Sequence, residues 1–128
     1  MCTNKKYIQI CVYMSMSPDV EAIIRNIKED IMKTFYEKTS NSTRNAHWIM
    51  YEALLRDAVE DITQSIDSVV HVPFLNVFIK AFETFTFELV NEVVLRIRGQ
   101  KVCTLEYMGN IHRRCEALLI AFPIYLSV

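Results

Sequence analysis

The chain has 128 residues, 52% of them hydrophobic, and carries 14 basic and 15 acidic side chains for a net charge of −1. That size fits one domain with a real core, and the balanced charge without a basic stripe argues against nucleic acid as a partner. Two glycines and three prolines are too few breakers for many short strands, so the composition predicts an all-α fold.

Residues 1–16 show no clear period and read as an N-terminal arm. Lys5-Lys6 followed by an apolar run from Tyr7 to Met16 has the outline of a signal peptide, but Gln9 and the lack of a small-residue cleavage site disfavour it. Ser17-Pro18-Asp19 is a helix start, with a capping serine, proline at the first helical position and acid in the first turn. Val20, Ile23, Ile24, Ile27, Ile31 and Phe35 then follow at helical spacing, which predicts a first helix over 17–37. Residues 38–45 are polar and read as a loop, with Asn45 placed to cap the next helix.

The second helix, predicted over 45–71, carries the stripe Trp48, Tyr51, Leu55, Ala58, Ile62 and Ile66; Pro73 sets its end, because proline disfavours helical geometry at the preceding residue. Residues 73–98 read as two shorter helices. Phe74, Val77, Phe78 and Phe82 lie on the first, the alternating Thr84-Phe85-Thr86-Phe87 suggests a break, and Leu89, Val90, Val93, Val94 and Ile97 resume the helical period. After Gly99, residues 100–122 carry the longest apolar stripe, from Val102 to Phe122, and are expected to form the central helix region, as one helix or with a bend near Asn110. Gly109 within it suggests close approach of a neighbouring helix, since glycine costs about 1 kcal/mol against alanine there. The uncharged 117–128 stretch is shorter than the roughly 20 residues a membrane span needs, and Pro123 interrupts it. It reads as a core segment, with a lipid-facing tail as the minority alternative.

The residues that carry chemistry are scattered. No phosphate-cradling glycine loop is present, and His47, His71 and His112 are far apart in sequence. His112 and Cys115 are three apart on a helix and could share a metal with further ligands, but no C-x-x-C accompanies them, and a polar helix edge beside a buried thiol is the commoner arrangement. Cys2, Cys11, Cys103 and Cys115 have no framework spacing, which suits a reducing compartment. The expectation is therefore no enzyme, no cofactor and no metal. What remains is binding: the large apolar residues of 74–94 exceed what two short helices usually bury, so they suggest a groove open to an amphipathic helix.

Leu55-Arg56-Asp57-Ala58-Val59-Glu60-Asp61-Ile62 resembles the third homology motif of the Bcl-2 family of apoptosis regulators. Leu55, Arg56, Ala58 and Ile62 match, and Tyr51 sits at the preceding anchor. Val59 stands where a smaller residue is usual, and Glu60 stands for the aspartate. Leu89-Val90-Asn91-Glu92-Val93-Val94 is similar to the fourth-helix sequence of pro-survival members, and of the first homology motif expected at 97–100 only Gly99 matches. The resemblance covers residues 18–122. It implies a Bcl-2-like bundle with a central hydrophobic helix and a surface groove, acting in the host cytoplasm or at the mitochondrial surface as a pro-survival protein. The implied partners are the death-motif helices of pro-apoptotic family members, Bim foremost. Carried over, the groove is Ile62, Ile66, Val69, Val70, Phe74, Phe78, Leu89, Val93, Gly99 and Tyr107. The family's partner-binding arginine falls on Gln100, leaving Arg98 or Lys101 to supply the charge. Short, divergent, anchorless versions are typical of viral members, which implies a large-DNA-virus source of iridoviral kind. The alternative within the family is a viral adaptor that blocks innate immune signalling with its groove closed, and self-association into a homodimer suits either role. Valine at 59 would obstruct docking of this helix as a ligand, so Leu55 and Val59 are expected to face inward.

Overall fold

The computed structural model describes the backbone of residues 18–68 and 72–121, and the side chains of 21–65 and 76–121. Within them lie four helices and no strand: α1 (Pro18–Lys38), α2 (Ala46–Ser68), α3 (Val72–Arg98) and α4 (Leu105–Ala121). The all-α expectation holds. Phe35 of α1 stacks on Trp48 of α2 while Lys28 reaches Glu60 at 2.6 Å, so α1 and α2 are antiparallel. Tyr51 of α2 meets Arg96 near the end of α3, and Glu92 of α3 meets Tyr107 and Arg114 of α4. The chain therefore runs up, down, up, down.

Contrary to the expectation of a central helix at 100–122, α2 and α3 share the middle of the bundle. α2 packs against α1, α3 and α4, and α3 packs against α1 and α2, whereas α4 packs chiefly on α2. Phe78, Phe82, Leu89, Val90, Val93 and Val94 of α3 are all buried. The described part of α4 buries Ile111 and Cys115, while Leu105 is 84% and Ile120 69% exposed. The physical difference lies in stripe width. Adjacent apolar pairs at 89–90 and 93–94 turn about 100° between neighbours, so α3 can be buried on two sides, whereas a single stripe buries only one.

The break expected at 84–87 is absent, and α3 is one helix of 27 residues, about 40 Å long at 1.5 Å per residue. Buried Thr86 keeps it intact: its hydroxyl donates to the Phe82 carbonyl at 2.8 Å, satisfying within the helix a group that would otherwise be stranded in the core. Thr39 and Thr63 do the same on the carbonyls of Phe35 and Val59. Phe85 and Phe87, part of the apolar surplus expected to line a groove, pack half-buried against the core instead.

The helix ends follow local chemistry. Asn45 Oδ1 accepts from the Trp48 amide at 3.1 Å, the N-cap expected of it. Thr104 Oγ1 accepts from the Tyr107 amide at 3.0 Å, so α4 starts at Leu105 and not near 100. After Arg98 the amide of Lys101 donates to Arg96 and that of Gln100 to Ile97, with Gln100 at φ 56°. This is a Schellman cap with glutamine at the left-handed position. Gly109 does not mark a close approach: a Cβ there would meet only Arg113 Nη1, at 3.4 Å.

Candidate functional site

The described residues assigned to the groove do not line one open surface. Ile62, Phe78, Leu89 and Val93 are fully buried in the main core, where they cannot touch a partner without unfolding the bundle. They are inward because the α1, α2 and α3 stripes meet there, and four large apolar side chains each stabilise by about 1.5–3 kcal/mol only when covered. Arg98, Gly99 and Gln100 are exposed, but they belong to the C-cap of α3, away from that core. Ile66 lies in α2 and Phe74 in α3, and their side chains are outside the described set. Val69 and Val70 lie outside the described residues.

Tyr107 serves a polar clasp. Its hydroxyl donates to Glu92, and Arg114 Nη1 lies 3.0 Å from the same carboxylate. The Arg96 guanidinium sits over the Tyr107 ring at 3.9 Å and donates to the Tyr51 hydroxyl and to the Val102 carbonyl. Burial and the Glu92 hydrogen bond push the Tyr107 phenol well above its usual range, so it stays a neutral donor. Burial alone would raise the Glu92 carboxyl, but the Arg114 and Tyr107 hydrogen bonds and the two guanidinium charges outweigh it and hold the group low. This network ties α4 to α2 and α3, the work its few buried apolar residues leave undone.

The surface feature that could receive a partner lies elsewhere, between α2 and α4. A cavity of about 370 Å³ is floored by Leu54, Ala58, Ile111 and Cys115 and edged by Met50, Ala53 and Met108. A second, of about 410 Å³, shares Asp61, His112 and Cys115 with the first and runs on past Gln64, Glu116 and Leu119. Together they form one trough along the two helices. It exists because α4 leans on α2 through small Ala58 and a narrow stripe, with short Ala53 on the rim. Burial pushes the Cys115 thiol up to about 11, with a smaller push from the nearby Asp61 charge, so the floor is neutral and apolar at physiological pH. The rims are polar: Asp57 and Asp61 on α2, and His112 and Glu116, 3.3 Å apart, on α4.

The octet 55–62 divides between these surfaces. Leu55, Val59 and Ile62 point into the main core, Ala58 reaches the trough floor, and Asp57 and Asp61 stand on its rim. Arg56, read as a motif residue, instead lies against Tyr36, donating to its hydroxyl and pairing with Glu52 at 3.5 Å. As site residues the sequence pattern missed Met50, Ala53 and Leu54, whose available signal was a second apolar file beside the main α2 stripe, and Met108 and Leu119 on the apolar stripe of α4. Among the described residues no cluster of histidine, cysteine and carboxylates could hold a metal ion, and no helix is long and apolar enough to cross a membrane.

No family model, no curated protein and no solved structure matches this chain.

Proposed function

We propose that this helical bundle is a Bcl-2-like inhibitor of apoptosis that captures an amphipathic death-motif helix, with the α2–α4 trough as its receiving surface. The observation that carries the reading is the trough itself: an apolar floor between two helices, open to solvent, with acidic and polar groups on its rims. A helix laid in such a groove buries anchors at i, i+3 or i+4 and i+7. The partner class rests on the resemblance at 55–62 and 89–94. In that motif an arginine usually follows the anchor leucine, and Asp57 and Asp61 offer it carboxylates. The partner's own aspartate finds no arginine on this rim, so its charge faces solvent or His112.

The test is a titration of labelled death-motif helices, the Bim helix among them, against the folded protein. Saturable binding that weakens in the Asp57→Lys/Asp61→Lys double variant and in Ala53→Arg, with helicity unchanged, supports the reading. Binding that ignores those substitutions moves the surface off the trough.

A second reading is favoured by one observation: Ile62, Phe78, Leu89 and Val93 are fully buried, so the groove carried over from the family is closed. That suits a viral adaptor blocking innate immune signalling. Silence across the whole peptide panel from a folded protein selects this reading over capture.

A further inference from the structure

We propose that the polar cleft at the loop end of the bundle binds a polyphosphate group, either on a free small molecule or on a lipid headgroup. The cleft, about 760 Å³, is bounded by the end of α1, the 39–45 loop, the start of α2 and the cap after α3. It is independent of the α2–α4 trough and of any death-motif partner.

Charge carries the inference. Lys38, Arg98 and Lys101 lie on its walls together with His47, and no carboxylate does. The ion pairs among the described residues are elsewhere: Lys28–Glu60, Arg56–Glu52, His112–Glu116 and Arg114–Glu92. Arg98 donates one hydrogen bond to the Lys38 carbonyl at 3.2 Å, which brings these two cationic residues together rather than neutralising either. In a chain whose net charge is −1, three cations gathered without an acid repel one another until an anion joins them. Lysine and arginine supply point and forked donors suited to phosphate oxygens.

Two further features of the same walls agree. The start of α2 opens on the cleft through Asn45 and His47. Its first turn contains no acidic residue, and Asn45 occupies only the Trp48 amide. The positive end of the helix dipole is therefore uncompensated, a natural complement to an anion. Trp48, on the wall and 4% exposed, carries the one buried side-chain donor without a hydrogen-bond partner among the described residues, its indole Nε1. The volume is that of a ligand site rather than of a single-ion nest, and the cations are spread along the walls, so the fitting ligand carries several phosphates. Asn41 and Gln100 add neutral hydrogen-bonding groups.

Trp48 is the only tryptophan in the chain, so its emission reports on the cleft directly. Titration at physiological ionic strength uses sodium tripolyphosphate in one arm. In the other it uses phosphatidylcholine vesicles with and without phosphatidylinositol bisphosphate. The expected result is a saturable change in Trp48 emission, accompanied by a higher melting temperature, in at least one arm. The Lys38→Gln/Lys101→Gln variant should raise the dissociation constant about tenfold or more, with its circular dichroism unchanged. Lys33→Gln, an exposed α1 lysine outside the cleft, should leave it unchanged. Saturation by tripolyphosphate alone identifies a free ligand, and saturation by the phosphoinositide vesicles alone identifies a headgroup. No saturable change in either arm overturns the proposal, and so does equal affinity in wild type and the double variant.

Discussion

The Tyr51 hydroxyl accepts a hydrogen bond from Arg96 Nε at 2.9 Å and donates its own proton to the Lys101 carbonyl at 2.9 Å. One phenol on α2 thereby holds both the end of α3 and the turn that leads into α4. The rest of the Tyr51 side chain is fully buried, so Tyr51→Phe removes the two bonds without opening a cavity. A loss of about 1–3 kcal/mol is expected, because one bond involves a charged donor and both partners lose their mate. Urea unfolding measures it. A change within about 0.3 kcal/mol would show that water replaces the hydroxyl at no cost.

Gln100 sits at the left-handed position of the α3 cap, one residue after a glycine that does not need its freedom. The φ of Gln100 is 56°, a region where glycine is favoured over other residues by about 1 kcal/mol. A Cβ on Gly99 would make an ordinary contact with the Leu95 carbonyl at 3.4 Å. Gln100→Gly should therefore stabilise by about 0.5–1 kcal/mol, and the exchanged pair Gly99→Ala/Gln100→Gly should be no less stable than the parent. Thermal melts decide it. Peptide binding in the trough should be indifferent to either change, whereas a partner-binding role at position 100 would show as lost affinity.

Gly109 gives a companion case inside a helix. Its hypothetical Cβ meets only the mobile end of Arg113, so nothing requires the missing side chain. Gly109→Ala should raise stability by about 0.5–1 kcal/mol through the lower entropy of the unfolded chain. Destabilisation on measurement would mean that a neighbour does approach this face.

The stripes on α1 and α2 were legible in the sequence because helical periodicity reports which side of a helix is apolar. The cap at Asn45 and the start of α1 at Pro18 were legible from equally local chemistry. Which helix occupies the middle is not a local property. The run after Gly99 has the longest stripe, yet it lies at the edge, while α3, whose paired valines and leucine cover two sides, is buried beside α2. The pattern Thr84-Phe85-Thr86-Phe87 imitates a strand, and only the hydroxyl-to-carbonyl bond of Thr86 shows why the helix runs through it. The trough was illegible because it depends on how far α4 stands from α2, set by Ala58, Ile111 and Cys115 meeting across the interface. The basic cleft escaped because Lys38, Arg98 and Lys101 are distant in sequence and join only when the ends of α1 and α3 reach the same end of the bundle.

Leu55, the anchor of the motif-like octet, is fully buried among the residues of the main core. Leu55→Ala removes buried methyl groups and leaves a cavity in a region held by three helices, so a loss of about 2–5 kcal/mol is expected. Arg56→Ala, one residue on, removes an exposed pair with Glu52 and contacts to the Tyr36 hydroxyl and ring, and should cost about 1 kcal/mol or less. Equilibrium unfolding of the two variants side by side tests the inward orientation of the octet. Equal effects would mean that Leu55 faces outward.

Glu92 sets the acid limit of the bundle. Its carboxyl is held below its ordinary value despite the opposing effect of burial, because Arg114, Tyr107 and Arg96 all favour the charged form. A group lowered in the folded state contributes stability above its unfolded pKa of about 4.3, and that contribution fades as pH falls through the folded value. Melting temperature should therefore hold between pH 7 and about pH 5 and decline below that. Glu60, lowered by its hydrogen bond and charge pairing with Lys28, adds a smaller, solvent-screened share to the same decline. Glu92→Gln keeps a hydrogen-bond acceptor for Tyr107 but removes the charge, so it should be less stable than the parent at pH 7 and approach it as the pH is lowered. Convergence of the two curves at acid pH is the signature that the clasp, and not general charge repulsion, governs the transition. Parallel curves across the range would assign the acid sensitivity to other groups.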